Sequence, residues 1–416
     1  MEVKSGYKQT DIGMIPEDWE VKPLGAVVSY MSGKAHEGNI CELGKYIVVN
    51  SKFISTYGNV RKFSDECFCP ASEGEILMVM SDVPNGRAIA RCFFVDCNDF
   101  YTVNQRIGSL RARQVDGRFL YYKLNRNPYY LSFDDGVKQT NLRKNDVLSC
   151  LISLPPTKAE QEAIASALSD ADALIESLEQ LIAKKRLVKQ AAMQELLTGK
   201  KRLPGFSGKW EVKQLGDLFN FSGGYSASRD QLSSEGHCYL HYGDIHGATK
   251  TFVDVRADYQ NIPKLNIPLK RVASKSLLED GDVVFVDASE DDEGTSRHVI
   301  VVNKDNKPFI SGLHTIVAKS KTAELTHEYR HYCFQTTAIR QQFLFYAVGT
   351  KVSGISKGNI PKLMLPVPSI PEQTAIAAVL SDMDAEIAAL EDKLSKYRKV
   401  KQGMMSELLT GRIRLI

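Results

Sequence analysis

Nowhere in the 416 residues does an apolar run approach the ~20 residues that a helix needs to cross a bilayer, which excludes a helical membrane protein. The opening MEVKSGYKQTDIGMIPEDWE is polar and lacks the apolar core of a secretory signal, so a cytoplasmic location is expected. Paired cysteines are missing too. Cys41, Cys67, Cys69, Cys92, Cys97, Cys150, Cys238 and Cys333 form no C-x-x-C motif and no repeated spacing, the pattern of free buried thiols. The CFC of Cys67 and Cys69 is half a metal site with no second half nearby, and structural zinc needs four ligands. An excess of one charge is absent as well: the net charge is +3, with 16 Lys/Arg against 13 Asp/Glu in residues 26–150 and 17 against 17 in residues 217–366. A phosphate-binding surface here depends on how charge is arranged, since there is little net charge to supply it.

Catalytic signatures are equally scarce. An adenine methylase needs a D/N-P-P-Y/F loop for the extruded base; NPYY at residues 127–130 lacks the second proline. FSGGYS at 221–226 is a glycine turn without the strand–helix context of a cofactor site, and GNICELGKY at 38–46 has five residues where a P-loop has four and Tyr46 where it has Ser or Thr. The acidic run Glu290, Asp291, Asp292 and Glu293 reads as a solvated loop, and a strand reading of residues 237–247 scatters His237, His241 and His246 over both faces. No metal site is expected.

What the chain does have is a repeat. MQELLTGKKRL at residues 193–203 returns as MSELLTGRIRL at 405–415, and an offset of 212 aligns 154–203 with 366–415 without a gap, with 27 identities in 50 positions. Apolar residues alternate in steps of four and three: Ile164, Leu168, Ala171, Ile175, Leu178, Ile182, and again Ile376, Leu380, Met383, Ile387, Leu390, Leu394, Tyr397. That is a heptad seam, and about 40 uninterrupted residues at 1.5 Å each predict a rod of roughly 60 Å. Pro371 suits a helix start, Gly199 and Gly411 suit C-terminal caps, and Lys184, Lys185, Arg186 and Lys189 read as a solvated face. Two such rods are expected to lie antiparallel with their seams together.

A second repeat, WEVKPLG at 19–25 and WEVKQLG at 210–216, precedes each of two dissimilar segments, and GVKQTNLRKNDV at 136–147 echoes GTKVSGISKGNI at 349–360 where each segment closes. The resulting order is a lead-in (1–24) that completes the C-terminal repeat, a variable segment (25–153), a helical repeat (154–203), a second variable segment with its own lead-in (204–366) and a final helical repeat (367–416). The end of such a chain runs naturally into its own beginning. Short β-branched runs (YIVVNSKFIS, GEILMVM, RAIARCFFV, DVVFVDA, RHVIVV) read as strands, while FLYYKLNR and HEYRHYCFQTTAIRQQFLFYA have helical spacing. The expected class is α+β: two globular α/β domains separated by two long antiparallel, coiled-coil-like helices, with internal pseudo-twofold symmetry and a circular arrangement.

Two variable segments separated by helices that begin with Glu160-Gln161 or Glu372-Gln373 and end in ELLTG, with the lead-in IPEDWEVKPLG, resemble the DNA specificity subunit of type I restriction–modification systems. The resemblance covers essentially the whole chain. It implies target recognition domains that each read half of a split double-stranded DNA site, and helices that space them and dock two methyltransferase subunits. Separate restriction motor–nuclease subunits complete the complex. S-adenosylmethionine, ATP and Mg belong, by the same implication, to the partners; this chain carries no cofactor and no catalytic residue. The alternatives are a coiled-coil adaptor whose heads bind proteins, and an autonomous DNA methyltransferase. Under the first reading, rod length sets the spacer between half-sites.

Base and phosphate recognition needs planar amides, hydroxyls and cations. In the first segment that singles out Asn50, Ser51, Lys52, Arg61, Lys62, Arg87, Arg91, Asn104, Gln105 and Arg106, with the closing loop Lys138, Gln139, Thr140, Asn141, Arg143 and Lys144 as the densest cluster. In the second it singles out Tyr242, Asp244, Lys250, Arg297, His298, Lys351, Ser353 and Lys357.

Overall fold

The structure, a computed structural model, describes residues 5–246, 251–289, 297–347 and 353–415. The acidic run at 290–293, Lys250 and Lys351 lie outside the described residues, and Ser353 enters only through its backbone. The chain forms two compact units, residues 1–179 with 392–416, and residues 180–391. Each long helix, Lys158–Leu196 and Ile370–Leu408, is divided between them.

Each unit carries a head built around an antiparallel sheet. In the first, the strands run Val28–Ser32, Ile107–Ala112, Ile76–Val79, Cys92–Phe94 in spatial order. In the second the order is Phe219–Gly223, Thr315–Ser320, Val283–Val286, His298–Val302, Phe252–Asp254, the last pair parallel. Ile76–Val79 and Val283–Val286 are apolar at every position because both their faces are covered, and alternation sorts their side chains into two cores. Ile76 and Met78 face the core that contains Trp19, Ile164 and Leu408, while Leu77 and Val79 face the one around Val49, Phe53 and Val103. Val283 and Phe285 face the core with Leu197 and Leu380; Val284 and Val286 face Leu240 and Phe309. A smaller sheet sits on the second core of each head, with one parallel pair: Tyr46–Val49 beside Tyr101–Val103, and His237–Leu240 beside Phe309–Ser311.

Each head is closed by its lead-in. Glu20–Pro23 pairs antiparallel with Leu151–Leu154, the strand that precedes the first long helix, and Glu211–Gln214 pairs in the same way with Met364–Val367 before the second. Gln161 and Gln373 then tie helix to head. Gln161 Oε1 accepts from Asp116 N at 2.8 Å and its Nε2 donates to Pro155 O at 3.1 Å; Gln373 Oε1 accepts from Thr326 N at 2.9 Å and its Nε2 donates to Pro368 O at 2.8 Å. Asp116 and Thr326 are the caps of the head helices Gly117–Leu124 and His327–Cys333, so one amide aligns the two helices.

Glu160 and Glu372 are buried beside these glutamines, where an unpaired carboxylate would be costly. Arg414 holds Glu160 (2.7 Å to Oε2) and also Asp18 (3.0 Å), whose carboxyl it keeps below the usual range. Arg202 holds Glu372 at 2.6 Å, with Trp210 Nε1 donating to the same oxygen at 2.9 Å. The ELLTG phrases end the helices here. Gly199 (φ +70°) and Gly411 (φ +72°) take the left-handed cap conformation, and a Cβ on Gly411 would meet Pro16 at 2.6 Å.

Within each unit the two helical stretches run antiparallel. Asp172 accepts from Tyr122 Oη (2.8 Å) and pairs with Lys401, and Glu179 pairs with Arg398 at 2.5 Å. In the other unit Asp384 accepts from Tyr332 Oη (3.0 Å) and pairs with Lys189, Glu391 pairs with Arg186 at 2.5 Å, and Glu386 with Lys185 at 2.7 Å. Three of the four cations expected to be simply solvated are thus bonded to carboxylates of the facing helix. The first seam positions, Ile164 and Leu168 or Ile376 and Leu380, pack on the head, together with the last turn of the other helix.

Candidate nucleic-acid interface

Short local structure corrects several expectations. SKFIS is a helix, Ser51–Ser55, not the continuation of a strand, because Asn50 Oδ1 accepts from Phe53 N at 2.9 Å and caps it. Tyr242–His246 is likewise helical, opened by His241, whose Nδ1 accepts from Gly243 N at 3.1 Å. Burial holds that imidazole below its ordinary pKa, favouring the neutral acceptor. RAIARCFFV forms strand only at Cys92–Phe94, and the last long run divides into His327–Cys333 and Thr337–Tyr346. NPYY is structural, with Asn127 capping Pro128–Leu131 and Tyr130 buried.

Three backbone hydrogen bonds gather the first head's candidates. Asn104 N donates to Val49 O (3.1 Å), Met80 N to Arg106 O (2.9 Å) and Leu142 N to Met80 O (2.8 Å). They bring Asn50–Lys52, Asn104–Arg106, Ser81 and the closing loop to one end of the sheet. The second head repeats them with different residues: Gly312 N to Leu240 O (2.9 Å), Asp287 N to His314 O (3.2 Å) and Ile355 N to Asp287 O (2.8 Å). Ser81–Asp82 pairs with Thr140–Asn141, and Ala288–Ser289 with Ser353–Gly354, so both closing loops dock at the same place.

On this frame Lys52, Gln105, Arg106, Lys138, Gln139, Asn141, Arg143 and Lys144 are exposed. Several are already oriented. Gln105 Nε2 donates to Glu37 Oε1 at 2.9 Å, Gln139 Nε2 to Ser81 Oγ at 2.7 Å, and Lys144 lies 5.7 Å from the Tyr30 ring centre. Asn50 and Asn104 spend one amide oxygen locally, on Phe53 N and Gln105 N (2.8 Å). Ser51 is half-buried at the start of the short helix. Arg61 and Lys62 are exposed beyond that helix, Arg61 Nε bonding to Gly58 O at 2.9 Å. Arg87 and Arg91 stand at the end of Ile76–Val79, where Val79 N donates to Arg91 O at 2.9 Å.

Two candidates are turned inward. Thr140 is 5% exposed and bonds to Asp134 at 3.1 Å; His298 is 7% exposed, with its ring 5.3 Å from that of Phe334 and 5.7 Å from that of Phe285. Strand alternation places both on the core side, which residue type alone does not reveal.

In the second head the Tyr242 ring is surrounded by His241 (4.5 Å), His314 (5.4 Å) and His246 (6.1 Å). Asp244 pairs with Arg229 at 3.3 Å, Asp287 accepts from His314 at 3.3 Å, and Arg297 bonds to the His246 carbonyl. Lys357 is exposed beyond the closing strand. His314, Asp287 and Arg229 escaped the sequence reading. The signal for His314 is positional: it follows the parallel strand as Arg106 does in the first head.

Such an assembly, two heads of one plan each offering amides, hydroxyls and cations on a main-chain frame, is that of a two-part nucleic-acid reader. The chain matches the family described as "Type I restriction modification DNA specificity domain" twice, over residues 16–184 and 207–396, and it belongs to that family. It is 25% identical to the putative type I restriction enzyme MjaX specificity subunit of Methanocaldococcus jannaschii and 24% identical to the MjaVIII specificity subunit of the same organism, in both cases over 99% of this chain and 97% of the relative. The fold is shared with the S subunit of the type I restriction–modification system from M. genitalium (TM-score 0.57, 16% identity, 98% of both chains covered). It is also shared with a chain from a structural study of type I complex assembly and conformational transition (TM-score 0.54, 15% identity, 96% of this chain and 99% of the other).

Proposed function

We propose that each head reads one half of a bipartite double-stranded DNA target with the loop surface held by its three backbone hydrogen bonds. As a type I specificity subunit the protein recognises DNA sequence and is not itself the catalyst. The finer reading assigns Gln105, Arg106, Gln139 and Asn141 to bases in the first head, and Tyr242, Asp244 and His314 with Arg229 to the second. The observation that carries it is the recurrence of one main-chain frame beneath two unlike sets of hydrogen-bonding side chains. The same reading extends to partners: the helical stretches dock two methyltransferase subunits, and through them the restriction subunits. Cytoplasmic residence follows for a protein that meets chromosomal DNA; among the described residues no helix is long and apolar enough to cross a membrane.

The test is methylation mapping of the host genome, followed by binding of the full chain to a duplex carrying the mapped target and to a scrambled duplex. A specific preference that weakens steeply with salt is expected, since phosphate contacts release counterions. Equal binding to both duplexes, unchanged by salt, would sink the assignment.

A further inference from the structure

Beside the first head's reading surface lies a group of side chains that base recognition does not use. Tyr57 is 82% exposed and stands in the left-handed backbone region (φ +52°), with Gly58 following at φ +78°. A bulky residue rarely adopts that conformation, and where it persists it commonly marks a functional position. Two more non-glycine residues share it nearby, Ala90 (φ +55°) and Arg126 (φ +58°), joined by Arg126 N donating to Ala90 O at 2.9 Å.

These backbone turns converge two guanidinium groups, those of Arg91 and Arg126, on the main-chain carbonyl of Arg87. Arg91 Nε donates to Arg87 O at 2.7 Å, and Arg126 donates from one terminal nitrogen to the same carbonyl (3.4 Å) and to Ile89 O (3.2 Å). Arg91 also donates to Tyr57 Oη at 3.0 Å. Among the described residues none of Arg87, Arg91 and Arg126 forms an ion pair, whereas Arg111, Arg398 and Arg414 of the same unit are each held by a carboxylate. Cations gathered without a carboxylate repel one another until an anion arrives. Because Tyr57 Oη already accepts from Arg91, its own proton is free to be donated outward, beside the remaining donors of that guanidinium.

We propose that Tyr57 Oη and the Arg91 guanidinium form one composite donor for a DNA backbone phosphate, with Arg126 supplying further positive charge. This corner positions the duplex and reads no base. The assignment rests on the reading that the first head binds DNA, and it adds Tyr57 and Arg126 to that surface.

The experiment measures affinity of the full-length chain for the mapped target duplex and for a scrambled duplex of equal length, across a salt series. Tyr57→Phe is expected to weaken both duplexes by the same factor, about fivefold, for loss of one solvent-exposed hydrogen bond of ordinary net strength. Arg91→Ala is expected to weaken both by about tenfold and to lower the salt slope by roughly 0.9, one phosphate's worth. Replacing single phosphates of the target by neutral methylphosphonate should reveal one position at which the parent loses affinity and both variants lose none. Unchanged circular dichroism and melting establish that the variants fold; Tyr57 is exposed, so Tyr57→Phe removes no packing. Parent-like affinity of Tyr57→Phe and Arg91→Ala, or a loss confined to the target duplex, overturns the phosphate clamp while leaving DNA recognition intact. Failure of the parent to bind either duplex overturns the DNA reading itself.

Discussion

The ammonium of Lys123 is enclosed between Ser153 Oγ (2.7 Å) and the carbonyl of Leu409 (2.8 Å), although the residue as a whole is only half-buried. Burial pushes its pKa from 10.5 down to about 8. The unfolded chain keeps that proton up to about pH 10.5 and the folded chain only to about pH 8, so unfolding takes up a proton between these values. Stability from this group therefore rises with pH across that window and is flat below it. Raising the pH from about 8 to about 9.5 should stabilise the parent relative to Lys123→Met by about 1–2 kcal/mol in urea titrations. A parent–variant gap independent of pH would mean the amine is not enclosed in the folded protein. The buried glutamines make a second case. Gln373 is 0% exposed and satisfies both Thr326 N and Pro368 O, so Gln373→Ala strands a buried donor and a buried acceptor at once. A loss of about 2–4 kcal/mol is expected in equilibrium unfolding, against near-zero for Thr374→Ala on the exposed face beside it.

The long helices were legible because everything that defines them is local: the four–three spacing, the capping glycines and the repeated register. The pairing of their cations was not, since one helix does not say which residues will face it. A hint was nevertheless present, because Asp172 and Lys189 recur at the same register as Asp384 and Lys401, and each aspartate pairs with the lysine of the other copy. In the heads the strands could be read but their boundaries could not. Asn50 turns the chain from strand to helix with one side-chain cap, and a polar residue such as Thr140 carries no label for the face it occupies. The proposed reading surface was the least visible element of all. It joins positions near 50, 80, 105 and 140 through main-chain bonds that no side chain advertises. The repeat does allow an element-scale prediction. Gly403 lies inside the second long helix, where an added Cβ would meet nothing within 4 Å, and its equivalent in the first is Ala191. Gly403→Ala should raise stability by about 0.5–1 kcal/mol in urea unfolding; a destabilised variant would place a neighbour where none is seen.

At the scale of the molecule the two units differ mainly in how the chain is threaded through one plan. In the second unit, Gly199 ends a helix and the chain continues directly to Trp210, which packs 3.4 Å from the Cβ position of that glycine. In the first, the same contact joins Gly411 to Trp19 at 3.1 Å through space, and Tyr7 Oη bonds back to Gly411 O at 3.2 Å. A chain with residue 415 linked to residue 5 by a short Gly/Ser segment, and reopened between Gly205 and Gly208, should therefore fold. It should bind the mapped duplex with an affinity within about threefold of the parent. Loss of cooperative unfolding in that permutant would show that the lead-in needs its free end. The frame beneath the proposed reading surface has a different kind of consequence. Bonds from main-chain N–H to main-chain carbonyl are nearly blind to the side chains they carry, apart from a glycine such as Gly312, where a Cβ would meet Leu240 O at 2.5 Å. The architecture thus separates inheritance of shape from inheritance of vocabulary. The loops can drift to new words by ordinary substitution while the main-chain grammar that holds them stays unchanged.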